Sequence, residues 1–229
     1  MYIIRNFIIL TIMSISFAGK ETDTFKAANA YYNDGNYGKS IERYEKIISD
    51  GLHSGELYYN LGNAYYRQGL LGQSIWAYNK AILFSPRLGD AKYNLEIAMA
   101  SMKDRIVLPS DILPVRIYAS IKSEYTFKEW LVFGSLLMFV TVCFFVASKV
   151  FILSNETFRK TISMLAFLIV AFHLVLIDLF FDQNEQQSGI IISNAVDAYS
   201  GPFEGENTML FTVNEGTRAE IYQRQGDWV

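Results

Sequence analysis

Cysteine, histidine and proline are scarce in this chain of 229 residues, and so is charge of either sign. The one cysteine, Cys143, lies inside an apolar run, so the chain contains no partner for a disulfide and no second thiol for a CxxC or zinc cluster. It reads as an inert small apolar side chain. The two histidines, His53 and His173, stand too far apart in sequence to suggest a metal centre. No Ser-His-Asp order, glycine-rich phosphate loop or convergent carboxylate pair is visible, so no catalytic residue, cofactor or metal is expected and the chain is read as not an enzyme. Lys and Arg number 20 against 23 Asp and Glu, a net charge of −3. Phosphate binding needs a basic surface, so no nucleic-acid partner is expected.

What is plentiful is apolar surface, 51% of the residues, unevenly placed. Roughly the first hundred residues and the last forty are polar enough to be soluble, whereas the middle carries long uncharged runs. Residues 1–18, MYIIRNFIILTIMSISFA, place one positive charge, Arg5, before an apolar stretch from Phe7 to Phe17, with small residues Ser16 and Ala18 at a cleavage site. This reads as a secretory signal, with a short uncleaved anchor as the alternative. No cysteine follows for a lipid anchor.

A repeat occupies residues 21–103. Shifting the chain by 34 lays NAYYNDGNYGKSIERYEKII (29–48) on NAYYRQGLLGQSIWAYNKAI (63–82). This period and pattern resemble the tetratricopeptide repeat, a helix-turn-helix unit that buries its apolar face by stacking on neighbours. The second copy (about 55–88) follows the family pattern closely, with Leu61, Gly62 and Tyr65 on its first helix, Tyr78 and Ala81 on its second, and Pro86 ending it. The first copy (about 21–54) has Ala28 at the small position and Tyr31 on the same face, but Ile47 and Leu52 where alanine and proline belong. Residues 90–103 repeat Asn60-Leu61 as Asn94-Leu95 and read as a capping helix. The resemblance implies a concave row of Phe25, Asn29, Tyr32 and Asn33, then Tyr59, Asn63, Tyr66 and Arg67, continued by Tyr93 and Ile97. Asparagine flanked by aromatics suits an extended peptide, whose backbone an amide can bond; alternatively, the row packs on another part of the same chain or complex. The basic carboxylate clamp known in the family is not expected, because Phe25 and Tyr59 occupy the positions before the asparagines. Alanine at Asn29, Asn63 and Tyr66 is expected to weaken partner binding without disturbing the fold.

Pro109 and Pro114 are read as helix breakers in a linker, 104–127. Its amphipathic piece, Val115 to Lys122, lies on a membrane surface or forms an ordinary linker helix. Thr126 and Glu129 have capping-box spacing before the apolar region, which starts a helix. A membrane hairpin over 128–182 follows, with spans at about 130–148 and 161–181, each long enough for a bilayer of ~30 Å. The connection 149–160 carries Lys149, Arg159 and Lys160 against Glu156 alone, so it is expected in the cytoplasm with both soluble ends outside. The glycosylation-type sequon at Asn155 falls in that turn and is disregarded. Mid-span His173 is read as a neutral side chain bonded across the hairpin to Thr141 or Ser135, or to a partner helix; a proton relay with Asp178 is the lesser reading.

Residues 189–229 alternate in β fashion, with turns at Ser200-Gly201-Pro202 and Glu215-Gly216-Thr217 and then Gly226-Asp227-Trp228-Val229. This resembles a bacterial SH3-like barrel of about five strands, and the expectation is that the sequence stops before the barrel is complete. The fold class expected is therefore an all-α repeat stack, a transmembrane α-helical hairpin and an incomplete all-β SH3-like barrel. This order of modules is similar to that of the repeat-containing members of the Bat (Bacteroides aerotolerance) operon family. The resemblance implies a bacterial inner-membrane scaffold with two spans and both soluble ends periplasmic. Its implied partners are membrane or periplasmic proteins, among them proteins with von Willebrand type A domains, and it implies a role in oxidative-stress tolerance or envelope integrity. The alternative is a cell-wall sensor or targeting subunit that binds peptidoglycan through the SH3-like part, with Tyr199 and Trp228 contributing.

Overall fold

A computed structural model describes residues 23–104, 112–150, 156–184, 188–202 and 208–223. The signal-like segment 1–18, Pro109, the sequon at Asn155 and the Gly-Asp-Trp-Val stretch lie outside them. The described residues form two compact units, one built from 23–104 with 188–223 and the other from 112–184.

In the first unit five helices follow one another through short turns: α1 (23–33), α2 (Tyr37–Ser49), α3 (Gly55–Gln68), α4 (Leu71–Phe84) and α5 (Gly89–Ala100). Their punctuation is repeated as closely as their sequence. After α1, Gly35 N–H donates to Tyr32 O and Asn36 N–H to Tyr31 O; after α3, Gly69 N–H donates to Tyr66 O and Leu70 N–H to Tyr65 O. Both glycines have positive φ, +74° and +81°, the left-handed end that closes a helix without a Cβ clash. Asn36 caps α2 and Ser54 caps α3, accepting from Lys39 N–H and Leu57 N–H. Each helix packs on its predecessor around a core containing Ala28, Tyr44, Leu61, Ala64, Tyr65 and Ala81. Small residues let the helices approach: Ala28, Gly62 and Ala81 are fully enclosed, and a Cβ on Gly62 would lie 2.7 Å from two ring carbons of Tyr78. Pro86, just beyond α4, is buried, while Tyr31 is half-buried beneath the Lys39 ammonium.

The same unit contains four short strands. β1 (Ser188–Ile190) pairs antiparallel with β4 (Arg218–Glu220), and β2 (Ala195–Tyr199) with β3 (Met209–Asn214), the latter through a bulge at Ala198/Tyr199. The turn between β3 and β4 rests on α4 and on the residues just beyond α5. Glu215 Oε2 accepts from Gly72 N–H (3.1 Å) in the first turn of α4, where the backbone donors are otherwise unpaired and favour an anion. Asn214 donates through its backbone and side-chain amides to Asp104 (2.7 to 3.1 Å). Gly216 sits so close to Ile75 and Met102 that an added Cβ would meet them at 2.7 and 3.0 Å.

The second unit comprises α6 (Leu113–Ser123), α7 (Phe127–Val150) and α8 (Glu156–Asn184). Pro114 does not break a helix: it occupies the first turn of α6, where its missing N–H costs no hydrogen bond, so the expected linker contains a helix. Thr126 and Glu129 form the reciprocal capping box at the start of α7. Within α7 and α8, Phe127–Lys149 and Phe158–Phe181 are long and apolar enough to cross a membrane, and few of their side chains are buried. The two helices pack together, and at Gly134 an added Cβ would lie 2.8 Å from the ring of Phe172.

Candidate functional site

The two helices of each repeat unit, and the first helix of the next, meet at an asparagine. Tyr44 OH and Asn60 Nδ2 both donate to Asn29 Oδ1. Thirty-four residues on, Tyr78 OH (2.7 Å) and Asn94 Nδ2 (2.8 Å) donate to Asn63 Oδ1. The sharing follows from chemistry, because an amide oxygen has two lone pairs and here each has a donor. Among the described residues neither Asn29 Nδ2 nor Asn63 Nδ2 has an acceptor, so each junction leaves an amide donor uncommitted. Burial raises the tyrosine hydroxyls at these junctions, Tyr44 up to about 12 and Tyr78 further, keeping them protonated donors. Tyr65, also raised chiefly by burial, donates to Glu45 and ties α3 to α2.

These junctions floor two adjoining hollows of about 190 and 250 Å³ that share Tyr32 and Asn63. The first is completed by Tyr66, Arg67, Asn94 and Ile97, the second by Asn29, Asn33 and Asn60. Arg67 carries the only charge among the lining side chains, and its guanidinium lies 5.2 Å from the ring centre of Tyr37, which meets Tyr32 edge-on. Burial raises the Tyr32 hydroxyl, with Arg67 opposing.

Of the residues expected to line a concave row, Asn29, Tyr32, Asn33, Asn63, Tyr66, Arg67 and Ile97 line these hollows. Phe25 instead packs on the core with its ring 5.8 Å from that of Tyr44, and Tyr59 lies half-buried against Tyr78. Tyr93 is 64% exposed and lines neither hollow. The residues not anticipated there are Tyr44, Tyr78, Asn60 and Asn94, of which the two asparagines are the less expected. The signal of both asparagines was present, since they recur at the 34-residue period directly before Leu61 and Leu95. Their bonds also change the expectation for Asn29 and Asn63. Each serves the packing as well as facing the groove, so alanine there leaves a tyrosine hydroxyl without its acceptor and disturbs the fold.

His173 departs from expectation. Its Nδ1 lies 2.8 Å from Ile169 O on its own helix, and Ser135 and Thr141 donate to Leu131 O and Leu137 O one turn behind them. In an apolar helix the nearest acceptor for a polar side chain is the carbonyl four residues back, and all three take it. Among the described residues no group of three or more His, Cys, Asp or Glu could hold a metal ion. In comparisons with known proteins, this chain matches no family and no curated protein.

Proposed function

We propose that this chain is a non-catalytic, membrane-anchored scaffold of the bacterial envelope that holds an extended peptide segment of a partner protein in the groove of a tetratricopeptide-type stack. The observation that carries it is the pair of junctions at Asn29 and Asn63. An amide fixed by two bonds to its oxygen and left with a free N–H₂ group is a preorganised donor for a backbone carbonyl, and two occur on successive repeats above tyrosine-lined hollows. Arg67 favours a segment with an acidic or neutral side chain at that point. The apolar stretches of α7 and α8 are read as two membrane spans with a cytoplasmic turn, supported by Lys149, Arg159 and Lys160 in and beside the connection. A second support is independent of charge. The turn after β3 rests on α4 and on Met102 and Asp104 just beyond α5, which supports reading the segments before and after the two spans as lying on one side of the bilayer. The strand pairs are read as part of an SH3-like module, and the whole as similar to the Bat-operon scaffolds, with von Willebrand type A proteins among the partners.

The test uses Tyr66→Ala and Arg67→Ala, since both are exposed and neither belongs to the asparagine junctions. Surface changes of this kind shift stability within about ±0.5 kcal/mol, whereas losing a central contact weakens binding by ~2 kcal/mol or more. Co-purification from native membranes is expected to lose specific proteins in the double variant while its melting is unchanged. Recovery of the same proteins in the same yield would refute the groove. Retention of the variant chain on peptidoglycan with no protein partner lost would favour the wall-binding reading.

A further inference from the structure

Helix α6 buries none of its side chains, yet one of its faces is apolar. Leu113, Ile117 and Ile121 recur at four-residue spacing and are 62%, 53% and 53% exposed, with Tyr118 beside them. By the 100° helical step Arg116 and Ser123 lie about 100° and 120° round from the middle of that row, whereas Ser120, seven residues after Leu113, lies beside it. In water a row of three branched aliphatic side chains is costly to leave open. The helix is nevertheless held at a defined level of the second unit. Tyr118 OH and Lys122 Nζ both donate to Asp178 Oδ2. Asp178 is three residues, about 4.5 Å of axial rise, from the end of the apolar stretch at Phe181. Lys122 O accepts from Trp130 Nε1 (3.4 Å), three residues into α7. Around this point Tyr125, Trp130, Phe133 and Phe172 form an aromatic cluster with ring centres 5.3 to 6.3 Å apart. Trp and Tyr rings favour the level of lipid headgroups.

We infer that α6 is an in-plane membrane helix, whose Leu113, Ile117 and Ile121 face enters the lipid surface beside the two spans while Arg116 stays among the headgroups. The bilayer is the occupant because both ties of α6 lie within about a turn of the ends of the apolar stretches. An in-plane helix sinks its apolar face roughly 5–10 Å into the headgroup boundary, which matches that level. The surface that α6 presents is then continuous with the lipid-facing surface of α7 and α8.

The inference rests on the two-span reading, and the test separates the two. In a Cys143→Ala background, nitroxide labels are placed singly through Leu113→Cys, Arg116→Cys, Ile117→Cys, Ile121→Cys and Ser123→Cys, with Met138→Cys in α7 as the reference for a span. The full chain is reconstituted in vesicles of phosphatidylethanolamine and phosphatidylglycerol, and collision with oxygen is compared with collision with a water-soluble nickel chelate. The ratio of oxygen to nickel collisions is expected to be several-fold higher at 113, 117 and 121 than at 116 and 123. High nickel access at 113, 117 and 121 would overturn the inference, leaving α6 in water. Low access to both reagents there would also overturn it, in favour of a protein neighbour or a second copy. Loss of the oxygen-rich signal at 138 would instead overturn the span reading. Introducing Ile121→Asn in the label-117 chain supplies a second measurement: it should lower the ratio at 117 and leave that at 138 unchanged.

Discussion

Replacing Gly62 by alanine sets two known effects against each other, and the geometry decides between them. In a helix interior alanine is normally favoured over glycine by roughly 0.5–1 kcal/mol. At Gly62, however, the added Cβ would come to 2.7 Å from Cδ1 and Cε1 of Tyr78 and 3.2 Å from its Cγ. The ring cannot withdraw easily: Tyr78 is 1% exposed and its hydroxyl is bonded to Asn63. Overpacking of this kind costs about 1–3 kcal/mol, so the net expectation is a loss of ~1 to 2 kcal/mol, or roughly 4–8 °C in melting at about 4 °C per kcal/mol. Gly62→Leu should lose more. Gly38→Ala in α2 is the matched contrast, since nothing lies within 4 Å of its Cβ position and the change should be neutral or stabilising. Near-UV circular dichroism of the purified full chain follows the packed tyrosines and is the suitable readout. In a Tyr78→Leu background, where the opposing ring is gone, Gly62→Ala should cease to destabilise. A Gly62→Ala chain that melts at or above the wild type would refute the close crossing.

The buried tyrosines predict weakness to alkali. Above the ordinary tyrosine value of 10 the unfolded chain releases protons that the fold retains up to about 12 at Tyr44, so stability is full below 10 and falls as pH rises through that window. Melts between pH 9 and 11.5 should show the fall, and Tyr44→Phe with Tyr78→Phe should flatten it. At the other end, backbone and then side-chain bonds from Asn214 hold the Asp104 carboxyl below its usual range. The seating of the strand turn should therefore persist above that range and loosen as pH falls through the lowered value. Hydrogen exchange at the Asn214 amide is the measurement: its protection relative to a free amide at the same pH should fall in acid and in Asp104→Ala at neutral pH, and unchanged protection would contradict the contact.

Features set by local or periodic chemistry were legible in the sequence. The 34-residue shift located the helices of the first unit, and the spacing of Thr126 and Glu129 located the start of α7. Sidedness within a helix was less accessible. The period placed Phe25 and Tyr59 with Asn29 and Asn63, yet the two rings turn toward the core because Tyr44 and Tyr78 offer them aromatic neighbours. Which groups an asparagine satisfies depends on what the next helix brings within reach, and Asn60 and Asn94 arrive from 31 residues away. The seating of Asn214, Glu215 and Gly216 on α4 and Asp104 joins positions as far apart as 143 residues, with no pattern in either segment to announce it. His173 shows a different limit: a polar side chain in an apolar segment invites a distant partner, but its own backbone is closer.

The bonds between Asp104 and Asn214 span 110 positions of the chain. On the proposed reading in which α7 and α8 cross the bilayer, that interval contains both spans. During synthesis, α1–α5 can fold early, but the seat for Glu215 and Gly216 has to wait until the second crossing has been completed and the chain has returned. A crossing that stalls halfway leaves Ile75, Met102 and the first turn of α4 uncovered on one side and the strand turn on the other. On that reading the closed contact records that insertion has finished, and its absence marks a half-threaded chain.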